Sequence, residues 1–219
     1  MDSNDSALMG FARLVEAGDA SGALSLLDAL PELVTAAIAV GATRQDPHSY
    51  FLEGIAHYLY RGDTALHVAA AAHRLEVAQA LIAAGADVHA RNRRGAEPLH
   101  YAADSAPGSE WWRPAEQATV ITCLLEAGAM VDTTDTSGVT ALHRAVRTRG
   151  AAAMHALLDG GADPALPNDR DTTPLQLALG ANGHGGSGSA AAKREQREIL
   201  MVLRQRTGTV GELKPRKSH

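Results

Sequence analysis

A four-residue box returns four times along this chain. It reads Thr64-Ala65-Leu66-His67, Glu97-Pro98-Leu99-His100, Thr140-Ala141-Leu142-His143 and Thr173-Pro174-Leu175-Gln176. The steps between the starts are 33, 43 and 33 residues. A period of this size marks a solenoid, in which each unit is too small to bury its apolar face alone and neighbours stack to share a core. Such a chain is not limited by the size of a single core.

The first copy is the most regular. Gly62 can take a positive φ in the turn, and the Thr64 hydroxyl can satisfy an orphan amide at the start of a helix. Leu66, Ala69 and Ala70 point inward, and Val77, Ala80, Leu81 and Ile82 recur at helical spacing over Leu75–Ala84. Gly85 then ends the second helix. The box, an Ala-Ala pair, a Leu-Leu pair and Gly-Ala-Asp recur in order over about residues 59–206. This pattern resembles the ankyrin repeat. The resemblance implies an all-α fold, a solenoid of stacked helix-turn-helix units joined by short hairpin fingers. The units fall at about 59–91, 92–134, 135–167 and 168–206.

Residues 1–58 lack the box and are expected to form a divergent helical cap over one end of the stack. Residues 1–6 read as frayed, followed by helices over Ala7–Ala17, Ala20–Leu30, Pro31–Val40 and Ser49–Leu59. Residues 207–219 form a basic tail, Lys214 to Lys217, expected to be disordered.

The copies are not equal. Gly62 to Gly85 and Gly138 to Gly161 each span 23 residues, but Gly95 to Gly128 spans 33. The ten extra residues fall within Asp104–Glu116, which holds both tryptophans, Trp111 and Trp112. Repeat four has a second insert, Gly180–Ser189 and a little beyond, ahead of an outer helix at about Ala190–Arg206. Other departures are Glu97 for Thr, Met130 for Asp, and Asp171 where the turn glycine belongs. Asp tolerates the left-handed region better than most residues, so that turn survives with some strain.

Apolar residues make up 45% of the chain but aromatics only 4%, so much of the apolar content is alanine, which suits close helix packing. The net charge of −5 argues against bulk nucleic-acid or anionic-membrane binding. The single cysteine, Cys123, permits no internal disulfide and reads as a small core residue. The first residues do not read as a signal peptide, and no apolar run approaches the ~20 residues of a membrane span. These features point to a soluble, cytoplasmic monomer.

The chemistry-bearing candidates have ordinary structural readings. His67, His100 and His143 recur once per unit, about 10 Å apart at helix-packing spacing, too far to share a metal ion. The family resemblance implies that they hydrogen-bond neighbouring turn backbone and the Thr hydroxyl. Gly183–Ser189 has a glycine spacing like a phosphate loop, but Ser189 stands where lysine is required and no strand precedes it, so a flexible linker fits better. Asp169 and Asp171 flank Arg170 as a solvated finger. No metal, cofactor or catalytic constellation emerges.

Function is therefore expected in binding. The resemblance implies a concave surface built from finger and inner-helix positions: Arg93, Arg94, Ala96 and Asp104; Thr136, Ser137, Val139, Arg147 and Thr148; and Asp169, Arg170 and Thr172. The Trp111-Trp112 pair either plugs the repeat edges or contacts a partner. Both inserts emerge between inner and outer helices, about 20 Å apart, with Arg147 and Arg149 between them. That arrangement predicts a walled notch for a carboxylate-bearing segment of another protein. The alternatives are that the loops simply pack on each other, or that His184, Arg147, Glu110 and the tryptophans close an enzymatic or small-ligand pocket. A third idea is nucleic-acid contact through the basic tail.

Overall fold

The computed structural model describes residues 3–181 and 189–208. Among them are ten α-helices and one two-stranded hairpin. The helices come in consecutive pairs: α1 Ser3–Ala17 and α2 Ala20–Ala29, α3 Ala65–Ala71 and α4 Leu75–Ala83, α5 Pro98–Ala102 and α6 Pro114–Glu126, α7 Ala141–Arg147 and α8 Ala151–Asp159, α9 Pro174–Ala181 and α10 Ala190–Arg206. First helices stack in one layer, α1 on α3, α3 on α5, α5 on α7 and α7 on α9. Second helices stack in another, α2 on α4, α4 on α6, α6 on α8 and α8 on α10. The chain is the all-α repeat solenoid that the box spacing predicts.

Composition explains the close packing. Every residue of α3 is buried, and four of its seven are alanine. Small side chains let neighbouring backbones approach, while Leu66, Leu99 and Leu142 supply bulk between the layers. α4 buries only Val77, Ala78 and Leu81, the stripe expected of a helix with one side in solvent.

The turns are sterically specified. Gly62 has φ 92°, and a Cβ there would sit 2.8 Å from Asn92 Cα. Asp171 replaces that glycine in repeat four and takes φ 55°, as the sequence reading anticipates. Adjacent fingers are tied edge to edge by single backbone bonds: Arg93 N to Arg61 O, Thr136 N to Arg94 O and Asp169 N to Ser137 O.

The N-terminal region differs from its sequence reading. Residues 3–6 are helical, and the Asp5 carboxylate is fully buried, accepting from Ala39 N, Val40 N and Tyr50 Oη. Burial, followed by that bond to Asp5, pushes the Tyr50 hydroxyl up to about 12. The helix expected over Pro31–Val40 is only a 3₁₀ turn, Pro31–Val34. Beyond it the chain runs alongside the first repeat's turn, with Ile38 N donating to Asp63 O and Gly62 N to Ile38 O. Ser49–Leu59 is not a helix. It holds 3₁₀ turns at His48–Tyr50 and Glu53–Ile55, and strands β1 Phe51–Leu52 and β2 His57–Tyr58 paired antiparallel. Ala56 turns that hairpin at φ 49°. Cys123 is half-buried, which departs from its core reading.

Candidate interaction groove

The box builds the site from the turn outward. His67 Nδ1 accepts from Thr64 N at 3.1 Å, closing a capping box with the Thr64 side chain. The ring's other nitrogen, Nε2–H, donates to Ala96 O of the next repeat at 3.1 Å. The same arrangement recurs at His100, which bonds Glu97 N and Val139 O, and at His143, which bonds Thr140 N and Thr172 O. Gln176 keeps the local half of the device, its Oε1 accepting from Thr173 N at 2.8 Å. Burial drives all three histidines below their ordinary range, His100 to about 4. They are neutral structural staples, as the sequence reading holds. Glu97 serves as the cap in place of threonine, and its Oε1 also accepts from Arg91 Nε at 3.0 Å and Thr133 Oγ1 at 2.9 Å.

With the turns held in register, the inner helices and fingers of repeats two to four enclose an open groove of about 510 Å³. Eight residues expected at a binding surface line it: Arg94, Asp104, Thr136, Ser137, Val139, Arg147, Asp169 and Arg170. Arg144, Asp135, Asn168, His143 and Leu177 complete the lining. Arg144 is the central side chain. Its Nη1 donates to Asp104 Oδ2 at 3.1 Å, its Nη2 lies 3.6 Å from Asp135 Oδ2, and its guanidinium sits 5.7 Å from the Tyr101 ring centre. Arg147 Nη2 reaches to 3.7 Å from Asp104 Oδ1. A buried polar cluster lies behind this wall. Asp63 accepts from Asn92 Nδ2, Tyr101 Oη and Tyr60 N, and burial together with Asp63 raises the Tyr101 hydroxyl.

The sequence reading passes over Arg144. The available signal is positional: the residue after the box histidine is Val68, Tyr101 and Arg144 in repeats one to three, and Leu177 follows Gln176. A charge where the others are largely apolar marks an inward-facing cation.

Other expected site residues lie elsewhere. Ala96 is fully buried and offers only its carbonyl, already held by His67, so it is not a contact surface. Arg93 turns toward the N-terminal unit, donating to Ala42 O and lying 5.1 Å from the Tyr60 ring centre. Thr172 gives its carbonyl to His143 and does not line the groove. Arg149 is half-buried in the α7–α8 turn at φ 61°.

The wide separation expected between the inserts is not kept at Pro107 and Ser189. Gln117 gathers the insert of repeat two: its amide donates to Ala102 O and Asp104 O, and its Oε1 accepts from Ser105 Oγ and Trp112 Nε1. Both tryptophans are half-buried, and the Trp112 N–H is committed to the scaffold. Ser189 Oγ, which also caps α10, donates to Pro107 O at 3.1 Å. The insert of repeat two therefore reaches across repeat three to the start of α10, where a gap of two repeats was expected. Gly183–Gly188, His184 and Lys214–Lys217 lie outside the described residues.

No group of three or more His, Cys, Asp or Glu among the described residues is placed to hold a metal ion. No described helix is long and apolar enough to cross a membrane.

Comparison with known proteins gives a consistent picture. The family model described as ankyrin repeat matches residues 61–93 and 137–169. These are the two repeats without inserts. The neurogenic locus Notch protein of Drosophila melanogaster is 38% identical over 105 residues, 45% of this chain and 4% of that protein. The neurogenic locus notch homolog protein 1 of Homo sapiens is 30% identical over 141 residues, 53% of this chain and 6% of that protein. An L-asparaginase of Dirofilaria immitis is 31% identical over 146 residues, 56% of this chain and 25% of that protein. The chain thus spans at most a quarter of the length of these relatives.

Proposed function

Because the chain is an ankyrin repeat protein, we propose that it is a non-catalytic protein-interaction module, binding a partner protein through the concave groove of repeats two to four. Ankyrin repeats are in general protein-interaction modules. The observation that carries the reading is the groove's lining, where exposed finger side chains and inner-helix arginines meet along one open channel. Solenoid curvature characteristically presents such a surface. In this reading residues 1–58 cap the stack and 59–206 carry the binding face. The chain acts as a cytoplasmic monomeric scaffold that uses no cofactor, nucleic acid or membrane.

The activity named for the Dirofilaria immitis L-asparaginase is not carried over, since the alignment takes in only a quarter of that protein. An enclosed pocket between the inserts is disfavoured by the commitment of Trp112 to Gln117 and of Ser189 to Pro107.

The test is capture of partners from the native cell by the wild-type chain and by the triple variant R94E/R147E/R170E, followed by titration of each recovered partner against both. Loss of binding in the variant, with an unchanged melting temperature, is the expected outcome. A partner that binds both proteins equally well would place the binding face elsewhere.

A further inference from the structure

The chemistry of the groove specifies more than its location. Arginines outnumber aspartates four to three in its lining, whereas the whole chain carries a net charge of −5. Two of the three aspartates are engaged, and Asp169 is exposed without a side-chain partner among the described residues. Asp135 Oδ1 accepts from Ser137 N and Val139 N, and its Oδ2 faces Arg144. Asp104 faces both Arg144 and Arg147. The exposed cations are freer. Arg94 meets only the face of Tyr60, at 4.7 Å, which leaves the in-plane edge of its guanidinium without an acceptor among the described residues. Arg147 is 56% exposed, its single carboxylate contact is loose at 3.7 Å, and Arg170 has no side-chain partner among the described residues.

A second observation points the same way. The Arg144 side chain is only 9% exposed, yet its Nε has no hydrogen-bond partner. A buried guanidinium N–H without an acceptor is a costly arrangement, and Oδ1 of Asp104, the carboxylate that Arg144 and Arg147 share, is likewise without a hydrogen-bond partner, so the floor is an imperfectly satisfied charge cluster that a carboxylate-bearing occupant can rearrange.

Resting on the interaction reading above, we propose that the groove binds an extended acidic segment of a partner protein. Carboxylates of the segment engage Arg94, Arg147 and Arg170, and an oxygen of the segment reaches Arg144 at the floor. Arginine suits this role because its planar fork meets a carboxylate with two parallel hydrogen bonds. Arg147 is the pivot. Its hold on Asp104 is weak enough to be exchanged for the incoming carboxylate.

The test is selection of a random phage-displayed peptide library on the wild-type chain, with the R94E/R147E/R170E variant as counter-target. Enriched peptides are then measured by fluorescence anisotropy, each beside its Glu→Gln and Asp→Asn analogue. The expected result is enrichment of Asp- and Glu-rich sequences. Affinity should fall about tenfold for each arginine reversed, and weaken on adding salt. Arg144→Lys separates the floor from the rim. It keeps the buried charge but removes Nε, and should weaken the acidic peptides severalfold while leaving the fold intact by circular dichroism. Enrichment of neutral or basic peptides, no enrichment at all, or equal binding of the amide analogues would overturn the inference. If cellular partners are nevertheless lost in the triple variant, the interaction reading stands and only the acidic preference falls.

Discussion

Lowering the pH should unstack this protein through its histidines, and a single substitution can isolate one of them. His100 accepts a backbone N–H on Nδ1 and donates from Nε2, so a second proton on the ring would face a donor in a dry site. Burial accordingly takes the folded value from the ordinary 6.5 to about 4. The unfolded chain therefore binds the proton more readily than the folded one. The stabilisation is complete above pH 6.5 and is lost progressively as the pH falls toward 4. Between about pH 7 and about pH 5 that single group contributes a loss of about 2 kcal/mol. His73, buried and donating to Ala102 O, has its folded value lowered to about 4 for the same reason and adds a similar loss. Repeat four supplies the control residue. Gln176 satisfies its cap amide with Oε1 and cannot titrate. His100→Gln should cost about 1 kcal/mol near neutral pH through the lost bond to Val139 O. In exchange it should remove about 2 kcal/mol from the pH-dependent loss. With a urea slope of about 2 kcal/mol/M, the shift in midpoint on acidification should shrink by about 1 M relative to wild type. Urea unfolding followed by circular dichroism at the two pH values measures this. Equal midpoint shifts for the two proteins would refute the burial argument.

Three further outcomes follow from the geometry. Gly62→Ala should lower the melting temperature by several degrees, a cost of about 1–3 kcal/mol, because φ 92° is unfavourable for alanine and the new Cβ would meet Asn92. Gln117→Ala should release Trp112 and the insert of repeat two, seen as a red shift in tryptophan fluorescence and faster hydrogen exchange over residues 103–113. An unchanged spectrum would show that the insert is held by other contacts. Asp63→Asn should cost about 1–3 kcal/mol in chemical unfolding, since the amide sets a donor against one of Asn92, Tyr101 or Tyr60.

The parts of this fold legible in the sequence are those whose chemistry is local. Thr64 and His67 lie three residues apart and complete their cap within one turn, so the box announces itself wherever it recurs. The capping role of Glu97 breaks the motif in letters but keeps its hydrogen bond. Ser49–Leu59 misleads for the opposite reason. Its apolar residues are compatible with helical spacing, but the segment answers to partners far along the chain, with Asp5 holding Tyr50 and the backbone around Leu59 pairing with residues 41–42. The groove is legible only in outline. Its finger positions follow from the repeat, but Arg144 and Asp104 are 40 residues apart and meet only once the insert of repeat two is folded beside the third repeat. The inserts mislead because their lengths are readable and their directions are not. Nothing in the letters around Ser189 announces that its hydroxyl will reach Pro107.

The histidine staples all point one way. His67 donates to repeat two, His100 to repeat three and His143 to repeat four. Each of repeats one to three therefore carries one donor whose protein partner is a carbonyl of its successor. A chain cut short after repeats one to three leaves that N–H to water, whereas one missing its first repeat leaves Ala96 O still accepting from Asn92 N within its own finger. The staples thus give the stack a polarity that runs with the chain, opposite to the finger bonds, and Gln176 marks where it stops.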